Sequence, residues 1–490
     1  MPEQKLLIHV LNGLRRMNDR MRIMFMLLAV TLAVHAAQST VPLTSNDTNY
    51  TTVIVRASGQ GTVLPDYNGQ LLKIGSLVIF RTQPASGYIW AGWTGSQWGV
   101  AESCYTCDCF VVRPGLELVA HFAPNPFPPV QGQYNGLVCD TNDASHERSG
   151  NFALTLAANG GLTGKFVIGG HSYPVGGGGY KEPVHADGSV QLRFYRGDIY
   201  AGDFRHVMTA ELQFDLTNGT DEVSGTLSDA HTESRWVGGV KDWFWVPATW
   251  TSELAGDRAV FKARANPAPQ AGTYTLIFPG GSDGQSAAGA GFGSVSVDSS
   301  GMVRITGFLA DGLSVRQKVA LSKSGRWPFY ATLHGGRGSI LGWMKFASSA
   351  EAPLTGMVTW TRPALAGTAL YPSGFVVKME CVGSPYQRPE ATTSSLLNFS
   401  AGAIAFSGDG LGEAFSNRLT LAANGKVTNL SSNKLSLSFV TATGLFKGKI
   451  VEPSAARNIS FKGAVLQDRN VGYGFFLGTN QSGLVCLGPE

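Results

Sequence analysis

The chain has 490 residues, of which 62 are glycine and only 15% are charged, with a formal net charge of +4. So little charge excludes long solvated helices, and glycine well above its usual ~7% favours short strands joined by tight turns. Three of the four net charges belong to residues 1–36, so the remainder is near neutral and offers no electrostatic footprint for nucleic acid or an anionic membrane.

Residues 1–36 read as an export signal. Arg20 and Arg22 precede an apolar run of twelve residues, Ile23 to Val34, and Val34-His35-Ala36 supplies the cleavage site. The run is shorter than the roughly 20 residues of a membrane span. The start is Met1 or Met21, since the sequence from Met21 alone is a complete signal. Export places the chain outside the cytoplasm, secreted or at the cell surface, where disulfides are permitted. Residues 37–51, rich in Ser, Thr and Asn, read as a linker.

Residues 52–124 carry β-type runs at Val53-Ile54-Val55 and Leu77-Val78-Ile79-Phe80, separated by Ser58-Gly59-Gln60-Gly61 and Pro65 to Gly69. Pro84-Ala85-Ser86-Gly87-Tyr88, then Gly92-Trp93-Thr94-Gly95, lead to a final Val119-Ala120-His121-Phe122. This order resembles the divergent internalin-type B-repeat, the bacterial repeat domain. The resemblance implies a small β-grasp-like module on a secreted or surface protein, with Trp93 in its core and no catalysis. The segment departs from that pattern between Trp98 and Cys109, where an insertion carries Cys104, Cys107 and Cys109. These three could close a loop disulfide or, with His121 as a fourth ligand, hold zinc.

Two proline-punctuated stretches, Asn125 to Pro129 and Asn266 to Pro269, then mark off residues 130–265 and 270–490. Leu154-Thr155-Leu156-Ala157-Ala158-Asn159-Gly160 recurs identically at Leu419 to Gly425, and more loosely at Val295 to Gly301. Its alternation predicts a strand with one buried face, and Asn-Gly predicts a hairpin turn. Further hairpins are predicted from Leu212–Leu216 with Val223–Leu227, from Trp343–Phe346 with Leu354–Val358, and from Leu435–Phe439 with Leu445–Ile450. The expected fold is all-β: the repeat-like module, then two antiparallel β-barrel or β-sandwich units, with 365–398 a long connection inside the second. Cys139 and Cys486, in matching GLVC tetrapeptides, read as core residues. The region resembles uncharacterised β-rich tails of secreted bacterial proteins, which implies architecture only.

No G-x-S-x-G elbow, H-E-x-x-H or P-loop occurs. His171, His185, His206, His231 and His334 have no partner at motif spacing. Asp140-Thr141-Asn142-Asp143 departs from a calcium loop at Ala144 and Ser145. No cofactor or metal is assigned. The strongest binding signal is the aromatic stretch Trp243-Phe244-Trp245 to Trp250, with Trp236 before it, because free tryptophan faces stack on sugar rings. The expectation is a non-catalytic structural or adhesion-type protein that meets polysaccharide or other cell-surface or matrix components. The alternatives are a carbohydrate-binding protein using Trp236, Trp243, Trp245 and Trp250, or a β-sandwich glycosidase.

Overall fold

A computed structural model describes residues 49–95, 108–139, 145–176, 184–196, 204–217, 219–237, 240–246, 250–281, 286–347, 353–390, 396–408, 410–422 and 425–490. Over these the chain is all-β, with three single-turn 3-10 helices and no α-helix. No helix among the described residues is long and apolar enough to cross a membrane. The chain divides into two units, residues 1–123 and 124–490.

In the first unit lie β1 (Tyr50–Ser58), β2 (Gly61–Leu64), β3 (Gln70–Lys73), β4 (Leu77–Pro84), β5 (Tyr88–Gly95), β6 (Asp108–Val111) and β7 (Glu117–Pro124). One sheet runs β3-β1-β7-β5 and a smaller one β2-β4-β6, with β1 and β7 parallel. Phe80, Trp93 and Phe110 form the aromatic centre, with Trp93 5.4 Å from Phe80 and 5.3 Å from Phe110 between ring centroids. The Gly59-Gln60-Gly61 turn is tied to Phe122. A Cβ at Gly59 would stand 2.0 Å from the Phe122 carbonyl oxygen, and one at Gly61 2.5 Å from the Phe122 ring.

The second unit contains three β-meanders. The first comprises β8 (Gly132–Cys139), β9 (Gly150–Leu156), β10 (Leu162–Ile168), β11 (His171–Val175) and β12 (Ser189–Arg196). It continues with β13 (Phe204–Phe214), β14 (Glu222–Val237), β15 (Val240–Val246) and β16 (Thr251–Arg258). The second comprises β17 (Gly272–Phe278), β18 (Gly291–Val297), β19 (Met302–Phe308), β20 (Ser314–Ala320), β21 (Arg326–Leu333), β22 (Gly338–Phe346), β23 (Leu354–Arg362) and β24 (Phe375–Pro385). The third comprises β25 (Ala401–Gly408), β26 (Phe415–Leu421), β27 (Val427–Asn429), β28 (Leu435–Val440), β29 (Leu445–Val451), β30 (Asn458–Leu466), β31 (Val471–Leu477) and β32 (Ser482–Pro489).

All three share one plan. Each is an antiparallel, barrel-like meander in which the first strand pairs with the last: β8 with β16, β17 with β24, β25 with β32. The free edges are consecutive strands, β11 and β12, β20 and β21, β27 and β28. Residues 270–490 hold two sheets, a number the sequence leaves open. The expected connection over 365–398 contains β24, whose pairing with β17 and β23 closes the second meander.

The repeated heptapeptide occupies one place in the plan, the end of the second strand and the turn after it. Leu154 and Leu156 are buried and Thr155 is exposed, as the alternation predicts. The turn has the same hydrogen bonds each time: Gly160 N–H to the Ala157 carbonyl, Gly301 to Asp298, and Gly425 to Ala422, at 3.0, 2.8 and 2.8 Å. The three glycines have φ of +80°, +76° and +78°, the left-handed region that a three-residue hairpin loop needs at this position. The predicted hairpins β13–β14, β22–β23 and β28–β29 are all antiparallel pairs.

Glycine has a second use inside the sheets. Gly136 of β8 lies directly opposite Gly256 of β16, and the Phe152 ring covers both. A Cβ at Gly136 would stand 2.3 Å from that ring and 2.1 Å from the Ala255 carbonyl oxygen. Gly136→Ala is expected to cost about 1–3 kcal/mol through overpacking. Gly425→Ala, with open space around it, is expected to cost only the left-handed backbone strain of about 1–2 kcal/mol. Denaturant melts measure both, and the claim fails if Gly136→Ala unfolds at the wild-type midpoint.

Candidate functional site

The aromatic stretch is built on a strand that changes partners. Residues 222–228 of β14 pair with β16, whereas 231–237 pair with β15, and β13 runs along the other side of both halves. The result is a three-stranded ribbon continuing beyond the β16 pairing. Register is unbroken along β14, so its alternation carries through. Val223 and Leu227 are core positions, which makes the even-numbered positions of β14 those of the outer face. Position 236 is one of these. Trp243 pairs with Ser234 and Trp245 with Thr232, so positions 236, 243 and 245 share the face that continues the outer surface of the meander. The side chains of these three lie outside the described structure.

Trp250 is not brought together with them. It precedes β16, and its carbonyl accepts from Asp229 N–H at 3.4 Å, a position of opposite parity. Its half-buried ring has the Arg148 guanidinium carbon 5.9 Å from its centroid.

Cys109 is buried and disulfide-bonded, whereas Cys104 and Cys107 lie outside the described residues. His121 Nε2 is 2.6 Å from Thr94 Oγ1. No group of three or more His, Cys, Asp or Glu placed to hold a metal occurs among the described residues. Cys381 and Cys486 are free thiols. Cys381 is fully buried, while Cys139 and Cys486 are only half-buried, and burial pushes the thiols of Cys381 and Cys486 up from their ordinary value.

Sequence spacing missed several histidine pairings. His206 and His231 lie directly opposite each other across β13–β14. Half-buried His334 stands 3.4 Å from the buried Asp311 carboxylate, which also receives Arg362 Nε at 3.3 Å. Burial holds the His334 imidazole below its ordinary pKa against the pull of Asp311. His146, a residue without motif context, sits 2.9 Å from Ser339 Oγ through Nδ1 and 2.8 Å from the Gly336 carbonyl through Nε2. Both ring nitrogens are committed and the pair is buried, so it works as a strut between the first and second meanders and not as an activated nucleophile.

An ionic network spans the same boundary. Asp221 receives Arg258 Nε at 2.7 Å and Lys323 Nζ at 3.1 Å, and Arg326 reaches Asp257 at 3.2 Å while stacking over Trp343 at 4.2 Å. A cleft of about 550 Å3 opens beside it over Asp215, Thr217, Thr220, Glu222 and Arg326. A second, of about 500 Å3, lies between β8–β10 of the first meander and β20–β21 of the second.

No family model and no curated protein matches the sequence. Among solved structures, a protein from Lactobacillus plantarum is similar at 8% identity over 73% of this chain and 99% of that one, with a TM-score of 0.10. The WD40 domain of SCAP from fission yeast is similar at 6% identity over 73% and 96%, with a TM-score of 0.12. Likeness at this level carries no argument about function.

Asp257 is the carboxylate that burial perturbs most clearly. Desolvation raises its pKa from 3.8 to about 6, with Arg326 pulling the other way. The folded chain thus keeps this proton up to about pH 6, whereas the unfolded chain releases it near 3.8. Stability from this group therefore declines as pH rises through that window and is flat above it. Asp257→Asn is expected to flatten the pH dependence between about 4 and 6 and to raise stability at pH 7.5 by on the order of 2 kcal/mol. Urea melts across pH check it; a variant less stable than wild type at pH 7.5 contradicts it.

Proposed function

We propose that this chain is an exported, surface-displayed binding protein of adhesion type that acts without catalysis and attaches to polysaccharide. The observation that carries the proposal is the register of the β13–β14–β15 ribbon, which sets positions 236, 243 and 245 on one face continuous with the outer surface of the first meander. Tryptophans at successive positions of one face of a paired strand suit stacking on successive sugar rings, and the backbone pairing is already made. Lys241 is the register partner of Trp236.

Two sequence features support the same reading. The segment ending near Ala36 reads as an export signal. Residues 52–124 resemble the internalin-type B-repeat, which in this proposal acts as a spacer module on the surface protein.

Affinity electrophoresis of the purified protein through gels containing a panel of polysaccharides tests the assignment. At least one neutral polysaccharide is expected to retard the protein. Trp243→Ala and Trp245→Ala together are expected to abolish that retardation, since truncating an aromatic anchor of an interface costs about 2 kcal/mol or more. Unchanged retardation in a folded double variant would make the ribbon structural and remove this reading.

A further inference from the structure

The cleft of about 500 Å3 between the first two meanders has features that the ribbon does not explain. It lies where the second meander is open. β20 and β21 are the free edges of that sheet, and no ladder joins them. Gln317 bridges the gap, with Nε2 donating to the Pro328 carbonyl at 2.8 Å and Oε1 accepting from Trp327 Nε1 at 2.8 Å. The outer face of β8–β10 covers this opening, and its residues Asn135, Asn151 and Lys165 line the cleft with Arg316, Lys318 and Tyr330.

Two polar atoms of residues along this lining are buried without hydrogen-bond partners, Asn135 Nδ2 and Asn151 Oδ1, whereas the Tyr330 hydroxyl meets the Gly170 backbone. Asn135 is only 3% exposed and Tyr330 6%. The Asn135 carbonyl oxygen is satisfied by Gln133 at 3.1 Å, which leaves its amide N–H groups pointing at nothing in the protein. An orphaned buried amide costs about 1–3 kcal/mol, so folded chains leave few of them. Here two belong to residues that line one cavity whose size falls in the range of small-molecule sites, about 300–1,000 Å3.

The charges are one-sided. Lys165, Arg316 and Lys318 are exposed at the rim, and no carboxylate among the described residues lines the cleft. The acid directly across from Asn135, Asp257, is held by Arg326. A mixed set of amide and phenol groups suits sugar hydroxyls, and three cations suit carboxylate or sulfate.

We infer that this cleft binds an acidic saccharide, with Asn135, Asn151 and Tyr330 taking the hydroxyls and Lys165, Arg316 and Lys318 taking the anionic group. The site is independent of the tryptophan ribbon. Its ligand class is acidic glycan, whereas the ribbon is proposed to retain a neutral polysaccharide.

Isothermal titration of the full chain with oligogalacturonate, a sulfated dextran oligosaccharide and neutral dextran tests it. One or both acidic probes are expected to bind, and which of them binds identifies carboxylate or sulfate as the anionic group. The Lys165→Gln/Arg316→Gln/Lys318→Gln variant is expected to weaken that binding by about tenfold or more. Asn135→Leu is expected to weaken it similarly while leaving the melting temperature unchanged or higher, because it removes an orphaned amide. Absence of binding by both acidic probes, or binding that survives the charge substitutions, overturns the inference. A large loss of stability in Asn135→Leu also overturns it, since the amide would then be structural. Trp243→Ala/Trp245→Ala is expected to leave this titration unchanged, so failure of the cleft and failure of the ribbon are read separately.

Discussion

Closure of each meander by its own first and last strands is the constraint on which the rest depends. These strands are far apart in the chain, and they meet at positions where a side chain would intrude. Gly136 faces Gly256 under Phe152, Gly383 lies under Leu354, and Gly483 lies under the Phe476 ring beside Gly408. Each glycine lets a large side chain press onto the backbone across the seam, and burying such a side chain contributes about 1.5–3 kcal/mol. The abundance of glycine in this chain is thus partly a packing requirement and not only a matter of turns.

Where the seam closes, the opposite side stays open, and the openings are used differently. The boundary between the second and third meanders is apolar and tight. Phe292 stacks toward Phe475 at 6.0 Å, and Ala464, Leu466 and Phe475 of the third meander join the core of the second. Thr275 Oγ1 donates to the Val465 carbonyl across it at 2.5 Å. The boundary between the first and second meanders is polar, made from the His146–Ser339 strut, the Asp221–Arg258–Lys323 cluster and a small patch around Leu137, Tyr330 and Leu341. The cleft with unpaired amides lies at this boundary.

Much of the local structure was legible. The heptapeptide read as strand and turn, and each copy is that strand and that turn. Trp93 is a core residue, as the resemblance to the repeat family implied. The strand at Phe375–Pro385 lay inside the expected connection although Val377-Lys378-Met379-Glu380-Cys381 alternates, because its partners β17 and β23 are not marked in its local pattern. Of the candidate tryptophans, Trp243 and Trp245 share a face by alternation alone. Adding Trp236 and removing Trp250 required the β14 register.

By itself the sequence determined the β character, the hairpins and their left-handed glycines. These are set by residues within a turn or a strand of one another, through period-two burial and backbone sterics. Only the tertiary structure decided that there are three meanders, where each one opens, and that Asn135, Lys165, Arg316 and Tyr330 border one cavity. Those relations are made by hydrogen bonds and packing between segments distant in the chain, and such contacts leave no mark on the local pattern of either segment.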